Sequence, residues 1–266
     1  MNAPLRFDAN LKWLFTEVPF LERFDKAAEA GFSAVEYASP YEYSASELNR
    51  RLLDAGVRQI LINTPAGSPG TPSQNGSACI PGLESDFRQD VSRALDYASA
   101  LGAPLIHLMA GVRPPDIAAE RSFATYVLNV GWAAERARAA GVRLVLEAIN
   151  KRDVPRFGLD SMETAAVVAE QVGLDAVGVL FDIYHAQVDR GDLATRLATL
   201  LPFVGHIQVA DNPGRHEPGT GEIAYPFLFD LIQRSSYDGW IGCEYAPLTD
   251  TVSGLNWLPS AKAVRS

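Results

Sequence analysis

An α/β fold is predicted, specifically a (β/α)8 TIM barrel in a single domain over residues 1–266. Three observations predict it. Eight short apolar runs alternate with helical patterns along the chain. The runs are rich in Val, Ile and Leu and too short for helices, as expected of parallel strands buried on both faces. No Gly-rich phosphate turn follows the first run, which weighs against a doubly wound open sheet.

The elements follow in order. The first strand, LRFDAN (5–10), is the weakest. FLERFDKAAEA (20–30) then places Leu21, Phe24 and Ala28 on one helical face, with Gly31 as a C-cap. SAVEYA (33–38) is the second strand, and SASELNRRLLDA (44–55) is a helix that starts at Ser caps and stops at Gly56. RQILINT (58–64) is the third strand. A long Pro/Gly/Ser-rich segment follows at 64–82, where a barrel carries a loop over its active face, so a lid is expected there. The helix 84–101 spaces Phe87, Val91, Ala94, Leu95 and Ala98 helically and stops at Gly102. PLIHLMA (104–110) is the fourth strand, and the helix 119–140 stops at Gly141. RLVLEAI (143–149) and AVGVLFD (176–182), the fifth and sixth strands, are the clearest, with SMETAAVVAEQV (161–172) between them. A helix at 192–201, ending at Pro202, leads to FVGHIQVA (203–210). PFLFDLIQRS (226–235) leads to WIGCEYA (240–246), and the tail beyond Ala246 shows no strong pattern.

With 266 residues, 47% of them hydrophobic, the chain can build one large core. A net charge of -9 and the lack of a basic stripe argue against a nucleic-acid partner. Cys79 and Cys243 show no metal spacing, and Cys243 lies in an apolar run, so buried free thiols are expected. The N-terminal MNAPLRFDANLKW carries Arg6, Asp8 and Lys12 and no signal-peptide core, and no apolar run approaches the roughly 18 residues of a membrane span. The expectation is a soluble, cytoplasmic protein with no membrane partner; a homo-oligomer is left open.

The chemistry concentrates at four strand ends. LVLEAIN reaches Glu147, VLFDIYH reaches Asp182, HIQVAD reaches Gln208 and IGCEY reaches Glu244. The gaps of 35, 26 and 36 residues are each close to one strand-plus-helix unit. In a barrel, residues at the C-terminal ends of strands face the mouth, and these four strands are neighbours. A single strand-end carboxylate is commonly a helix N-cap or an ion-pair partner. Four oxygen donors in step are harder to explain that way, because a buried carboxylate is costly unless something pairs with it. An all-oxygen set favours a hard divalent cation, Mg²⁺ first and Mn²⁺ as the alternative, over zinc.

The segments LEAIN, FDIYH, HIQVADNPGRHEPGTGEI and CEY resemble the hydroxypyruvate isomerase family, within the xylose isomerase-like barrel superfamily that also includes 2-oxo-tetronate isomerases. FDANLKWLFTE, HLMAG and NKRDVPRFGL carry the likeness over nearly the whole chain, and NPGRHEPGTGEI discriminates best. The resemblance implies a metal held by Glu147, Asp182, Gln208 and Glu244, with Glu147 and Glu244 as catalytic proton donor and acceptor. Sugar-epimerase relatives usually carry His where Gln208 stands. The implied reaction converts hydroxypyruvate to tartronate semialdehyde through an enediolate.

A small anionic hydroxy-keto acid needs a cation to grip it. Lys12, Arg113, Lys151, Arg152 and Arg215 all follow strand ends; Arg215 is favoured, then Lys12. His185, one helical turn after Asp182, is expected to bind a substrate oxygen or orient a ligand. His107 is a further substrate-binding candidate, although a plain structural role is open for it. His206 lies one layer below Gln208 and reads as an interior, hydrogen-bonded histidine. Glu36 is read as a support behind the ligands, and Trp13 and Trp240 as candidate pocket walls. Rival readings remain. A four-carbon keto-acid isomerase, a ketose 3-epimerase or an inosose dehydratase keeps the site. A metal-dependent endonuclease needs more than four His and a basic face. A barrel that only binds its ligand is the third class.

Overall fold

The structure, a computed structural model, describes residues 4–258. Parallel strands form a single sheet: β1 (Arg6–Asn10), β2 (Ala34–Glu36), β3 (Arg58–Gln59), β4 (Leu61–Asn63), β5 (Leu105–His107), β6 (Arg143–Glu147), β7 (Val177–Asp182), β8 (Val204–Val209) and β9 (Trp240–Cys243). The sheet runs β3-β2-β1-β9-β8-β7-β6-β5-β4. Its two ends are halves of one chain segment. The expected third strand is split at Ile60, whose N–H donates to Val35 O while its carbonyl accepts from Leu105 N–H. The sheet therefore closes, and the eight expected strand positions form a barrel.

The helices α1 (Arg23–Glu29), α2 (Ala45–Ala55), α3 (Glu84–Leu101), α4 (Ala119–Ala139), α5 (Met162–Val172), α6 (Ile183–Asp189), α7 (Leu193–Leu200) and α8 (Tyr225–Arg234) lie between the strands. Local chemistry sets their ends. Ser44 Oγ accepts from Glu47 N–H to start α2, and Gly56 ends it in the left-handed conformation at φ 69°. Leu48 and Leu52, one turn apart, are its buried face. The sequence reading gave only one helical turn after Asp182, where α6 follows β7 without a loop and runs to Asp189. Pro202 lies inside a 3-10 turn at Leu201–Phe203 rather than beyond the helix.

Barrel closure makes the inward face of each strand a layer of side chains. Val145, Leu180 and Leu61 fill one small inner cluster. The remaining core packs the outer strand faces against the helices, with Phe24, Phe87, Tyr126 and Phe181 fully buried. Each such ring contributes roughly 1.5–3 kcal/mol of transfer free energy. Both cysteines are buried free thiols. Among the described residues no helix is long and apolar enough to cross a membrane.

Candidate active site

Glu147 and Asp182 are the last residues of β6 and β7, Gln208 is the fifth residue of β8, and Glu244 follows β9 directly. Asp182 pairs in register with Gln208, and Gln208 with Gly242. Glu147, Asp182 and His185 are buried and offer ligand atoms all within 4.8 Å of one another.

Asp182 divides its work between two oxygens. Oδ1 accepts from Tyr184 N–H at 2.8 Å and His185 N–H at 3.3 Å, capping α6. Oδ2 faces the guanidinium of Arg215 at 3.2 Å. The same Arg215 Nη2 reaches Glu244 Oε2 at 2.5 Å. Arg215 sits between the rings of Trp13 (5.1 Å) and Tyr184 (5.0 Å) and holds a left-handed backbone at φ 56°. A non-Gly residue there costs on the order of 1 kcal/mol, which the surrounding turn must offset. The bridge from Asp211 to His216 and the bond from Ala246 N–H to Arg215 O fix that turn.

His185 is oriented from behind. Asn150 Oδ1 accepts from Asp153 N–H at 2.9 Å, so its amide nitrogen faces His185 Nδ1 at 2.6 Å and Asp153 Oδ2 at 3.0 Å. Nδ1 must then accept, and the proton lies on Nε2. Nε2 stands 3.7 Å from Glu147 and 3.6 Å from Asp182. Burial, and then the charge of Arg215, lowers the imidazole pKa to about 3, so it is neutral. A neutral Nε2–H donor suits a substrate oxygen better than a metal. His107 Nδ1 lies 3.5 Å from Glu147 Oε2, and its Nε2 is buried without a partner. Burial lowers its pKa to about 3 as well.

Beneath this layer lies a second polar group. Glu36 of β2 is fully buried. It accepts from His206 Nε2 at 2.7 Å, Gln208 Nε2 at 2.7 Å and Asn10 Nδ2 at 2.8 Å. Asn10 Nδ2 also reaches Glu244 Oε1 at 3.2 Å. Burial alone would raise the Glu36 carboxyl, but His206 and the amide donors outweigh it and hold it below the ordinary range. The neighbouring Asp8 has no such donors; burial and the charge of Glu36 push its carboxyl well above the ordinary range.

The electrostatics of the upper layer have one sign. Burial first, and then Glu244 and Asp182, push the Glu147 carboxyl well up. Burial raises Asp182, with Arg215 partly offsetting it. Burial and the charges of Asp182 and Glu36 take Glu244 to about 7 despite Arg215. Meanwhile Gln208 Oε1 is buried with no hydrogen-bond partner. Three carboxylates resisting their own charge and an orphaned carboxamide oxygen form a donor set short of positive charge. The residues present fit a divalent cation, with Glu147, Asp182 and His185 already gathered and Glu244 outside that group, tied to Arg215.

The other cations are placed variously. Lys12 is exposed, lies 5.4 Å from the Trp13 ring, and its charge reaches Glu244. It also lines a cavity of about 440 Å³, with Tyr37, Asn63, Thr64 and Met109 from neighbouring strand ends; none of the four expected ligands lines that cavity. Ala66, Gln74 and Asn75 of the long loop border the same cavity. Arg113 is bound to Ile117 O, Lys151 to Asp160, and Arg152 to Tyr184 and Asn212. Trp240 does not wall this mouth but lines a separate cavity with Arg6 and Arg58. It opens β9, at the opposite end of the barrel, between Arg6 and Arg58. Asn10 and Asn150 were not singled out in the sequence. Each ends or follows an apolar run as the four ligands do, and that was the available signal.

The family model of the xylose isomerase-like TIM barrel matches residues 24–261. The chain belongs to this family. Within it, a 2-oxo-tetronate isomerase from Cupriavidus necator is 44% identical over 253 residues, covering 95% of this chain and 97% of that protein. The hydroxypyruvate isomerase of Escherichia coli is 42% identical over 254 residues, covering 96% of this chain and 98% of the other. A crystal structure from Brucella melitensis, described as an AP endonuclease of family 2, superposes with a TM-score of 0.91 at 38% identity, covering 97% and 98% of the two chains. Similarity of this extent to the named isomerases makes this family member an isomerase.

Proposed function

We propose that this isomerase interconverts hydroxypyruvate and tartronate semialdehyde by proton transfer between adjacent carbons. The observation that carries the reading is the pair Glu147 and Glu244, two carboxyls with raised pKa on opposite sides of Asp182, joined to it through His185 and Arg215. Glu147, Asp182, Gln208 and Glu244 would hold a divalent cation, Mg²⁺ before Mn²⁺ on the all-oxygen donor set. Such a cation supplies positive charge that acidifies the carbon next to the carbonyl and stabilises the developing oxyanion.

The residues of the chain do the rest. One glutamate takes a proton from C3 of hydroxypyruvate, and the electron pair moves through the C2–C3 bond onto the C2 oxygen. The other glutamate returns a proton to C2. The C3 hydroxyl loses its proton as the aldehyde forms, and the C2 oxygen gains one, so atoms and charge balance. A carboxylate beside a divalent cation is a weak base, and holding it against the substrate offsets part of that deficit. His185 Nε2–H donates to a substrate oxygen, and His107 stands as a second neutral imidazole beside Glu147. Arg215 and Lys12 offset the charge of the substrate carboxylate. No nucleic acid is needed; the net charge of -9 and the acidic mouth oppose a nuclease reading.

A second reading has its own support. A cavity of about 440 Å³ borders Lys12, with Asn63 and Thr64 on its wall, so a fourth hydroxylated carbon has both room and polar partners. That admits a four-carbon 2-oxo acid alongside the three-carbon one. Proton exchange in D₂O with three- and four-carbon keto acids discriminates the two. Faster turnover of free ketohexoses than of either acid refutes both.

A further inference from the structure

We infer that Glu36 is a positioning residue whose hydrogen bond turns the Gln208 amide so that its oxygen, not its nitrogen, is presented to the cation. The inference rests on the cation reading above and goes beyond it. A carboxylate can only accept hydrogen bonds. Glu36 takes three donors, from His206, Gln208 and Asn10, so the edge of Gln208 that faces it must be the NH₂. The other edge, Oε1, is the one left buried without a partner.

The barrel is built to allow this reach. Asp8, Gly242 and Gln208 are in register on β1, β9 and β8. A Cβ at Gly242 would stand 2.5 Å from Glu36 Oε1 and 2.7 Å from its Cδ. Glu36, two strands away from β9, therefore occupies the space that a β9 side chain would fill. His206, in the layer below, clamps the second carboxylate oxygen. An amide is nearly symmetric in shape, so packing alone does not choose its orientation; an acceptor-only partner does. The same carboxylate also binds Asn10, which holds Glu244, so one buried residue serves two of the four donors.

The test measures Mn²⁺ affinity of the metal-free protein by electron paramagnetic resonance, with thermal midpoints taken alongside. Glu36→Met, Gln208→Met and the double variant are compared with wild type. If Glu36 acts through Gln208, each single change weakens Mn²⁺ binding by roughly 10–100-fold and the double falls well short of the product of the two losses, the remainder being what Asn10 passes to Glu244. A folded Glu36→Met protein that binds Mn²⁺ like wild type overturns the inference, as does a double variant in which the two losses multiply. A residue with a purely structural role would lower the midpoint and leave the affinity of the folded protein unchanged. If Glu36→Met does not fold, ¹⁵N-labelled wild type decides. The Gln208 side-chain amide should keep a low-field, slowly exchanging proton both without metal and with Mg²⁺; its release on adding Mg²⁺ overturns the inference. Wild type that binds no Mn²⁺ refutes the cation reading itself, a distinct result.

Discussion

Adding a single methyl group at Gly242 should be far more damaging than at Gly131. At Gly242 the new Cβ would lie 2.5 Å from Glu36 Oε1, 2.7 Å from Cδ and 2.7 Å from Oε2. Ordinary contact needs about 3.5 Å, so the carboxylate must retreat by about 1 Å. It has little freedom to do so, being fully buried and tied at 2.7, 2.7 and 2.8 Å to His206, Gln208 and Asn10. A shift of that size breaks or bends at least one charge-assisted bond, worth about 1.5–3 kcal/mol, and overpacking adds roughly 1–3 kcal/mol. We take about 3 kcal/mol as the expected loss for Gly242→Ala, which lowers the thermal midpoint by roughly 6–12 °C. Gly131 lies inside α4 with no heavy atom within 4 Å of a built Cβ. Gly131→Ala removes a helix-interior glycine and should gain about 0.5–1 kcal/mol, or roughly 1–4 °C. Differential scanning calorimetry of both variants at one pH and scan rate checks the pair. A Gly242→Ala midpoint within about 2 °C of wild type would show that Glu36 is not held as described.

Glu147→Gln keeps shape and removes the base; turnover should fall by at least about 100-fold in the D₂O exchange assay while circular dichroism stays native, and retained turnover removes Glu147 from the mechanism. Arg215→Met takes a cation from Asp182 and Glu244. Losing one partner of a buried pair costs roughly 3–5 kcal/mol. Arg215 keeps 19% side-chain exposure, and the carboxyls can take up protons, so about 2 kcal/mol is expected. Added Mg²⁺ should then raise the midpoint of the variant more than that of wild type, and an equal or smaller rise contradicts the charge argument. Glu163 joins α5 to α7 through Arg196 at 2.8 Å. Burial would raise its carboxyl, but Arg196 outweighs this and lowers it from 4.5 to about 2. A depressed folded pKa gives stability that is present above 4.5 and lost as pH falls toward 2. Because Glu163 is 43% exposed, the effect is discounted to about 1 kcal/mol. Glu163→Gln should therefore melt about 2–4 °C below wild type at pH 7, with the gap closing in acid; a gap independent of pH refutes the linkage.

The barrel was legible because each buried parallel strand is a short apolar run, and the alternation survives even where the third strand splits at Ile60. Element ends were legible where a cap marks them, as at Ser44 and Gly56. Helix α6 was hidden beyond its first turn because its N-cap is Asp182, the last residue of β7, so no loop announces it. The same residue shows why capping and ligand readings compete wrongly: Oδ1 caps the helix while Oδ2 faces Arg215. The four strand-end donors were legible one by one, as polar residues closing apolar runs. Their support was not. Glu36 meets His206 and Gln208 across 170 and 172 residues, and Asn10 meets Glu244 across 234. Such pairs run between strands rather than along one, so no periodicity records them. Gly242 is the extreme case, a position whose role is to leave space, in a run whose neighbours Ile241 and Cys243 say only strand. What converts such a glycine into a statement about function is register. Once Gln208 and Asp8 are aligned on either side of it, the missing side chain marks where Glu36 must pass. Strand-end chemistry can thus be read along a barrel sequence, whereas the layer that aims it becomes readable only when the strands are laid side by side.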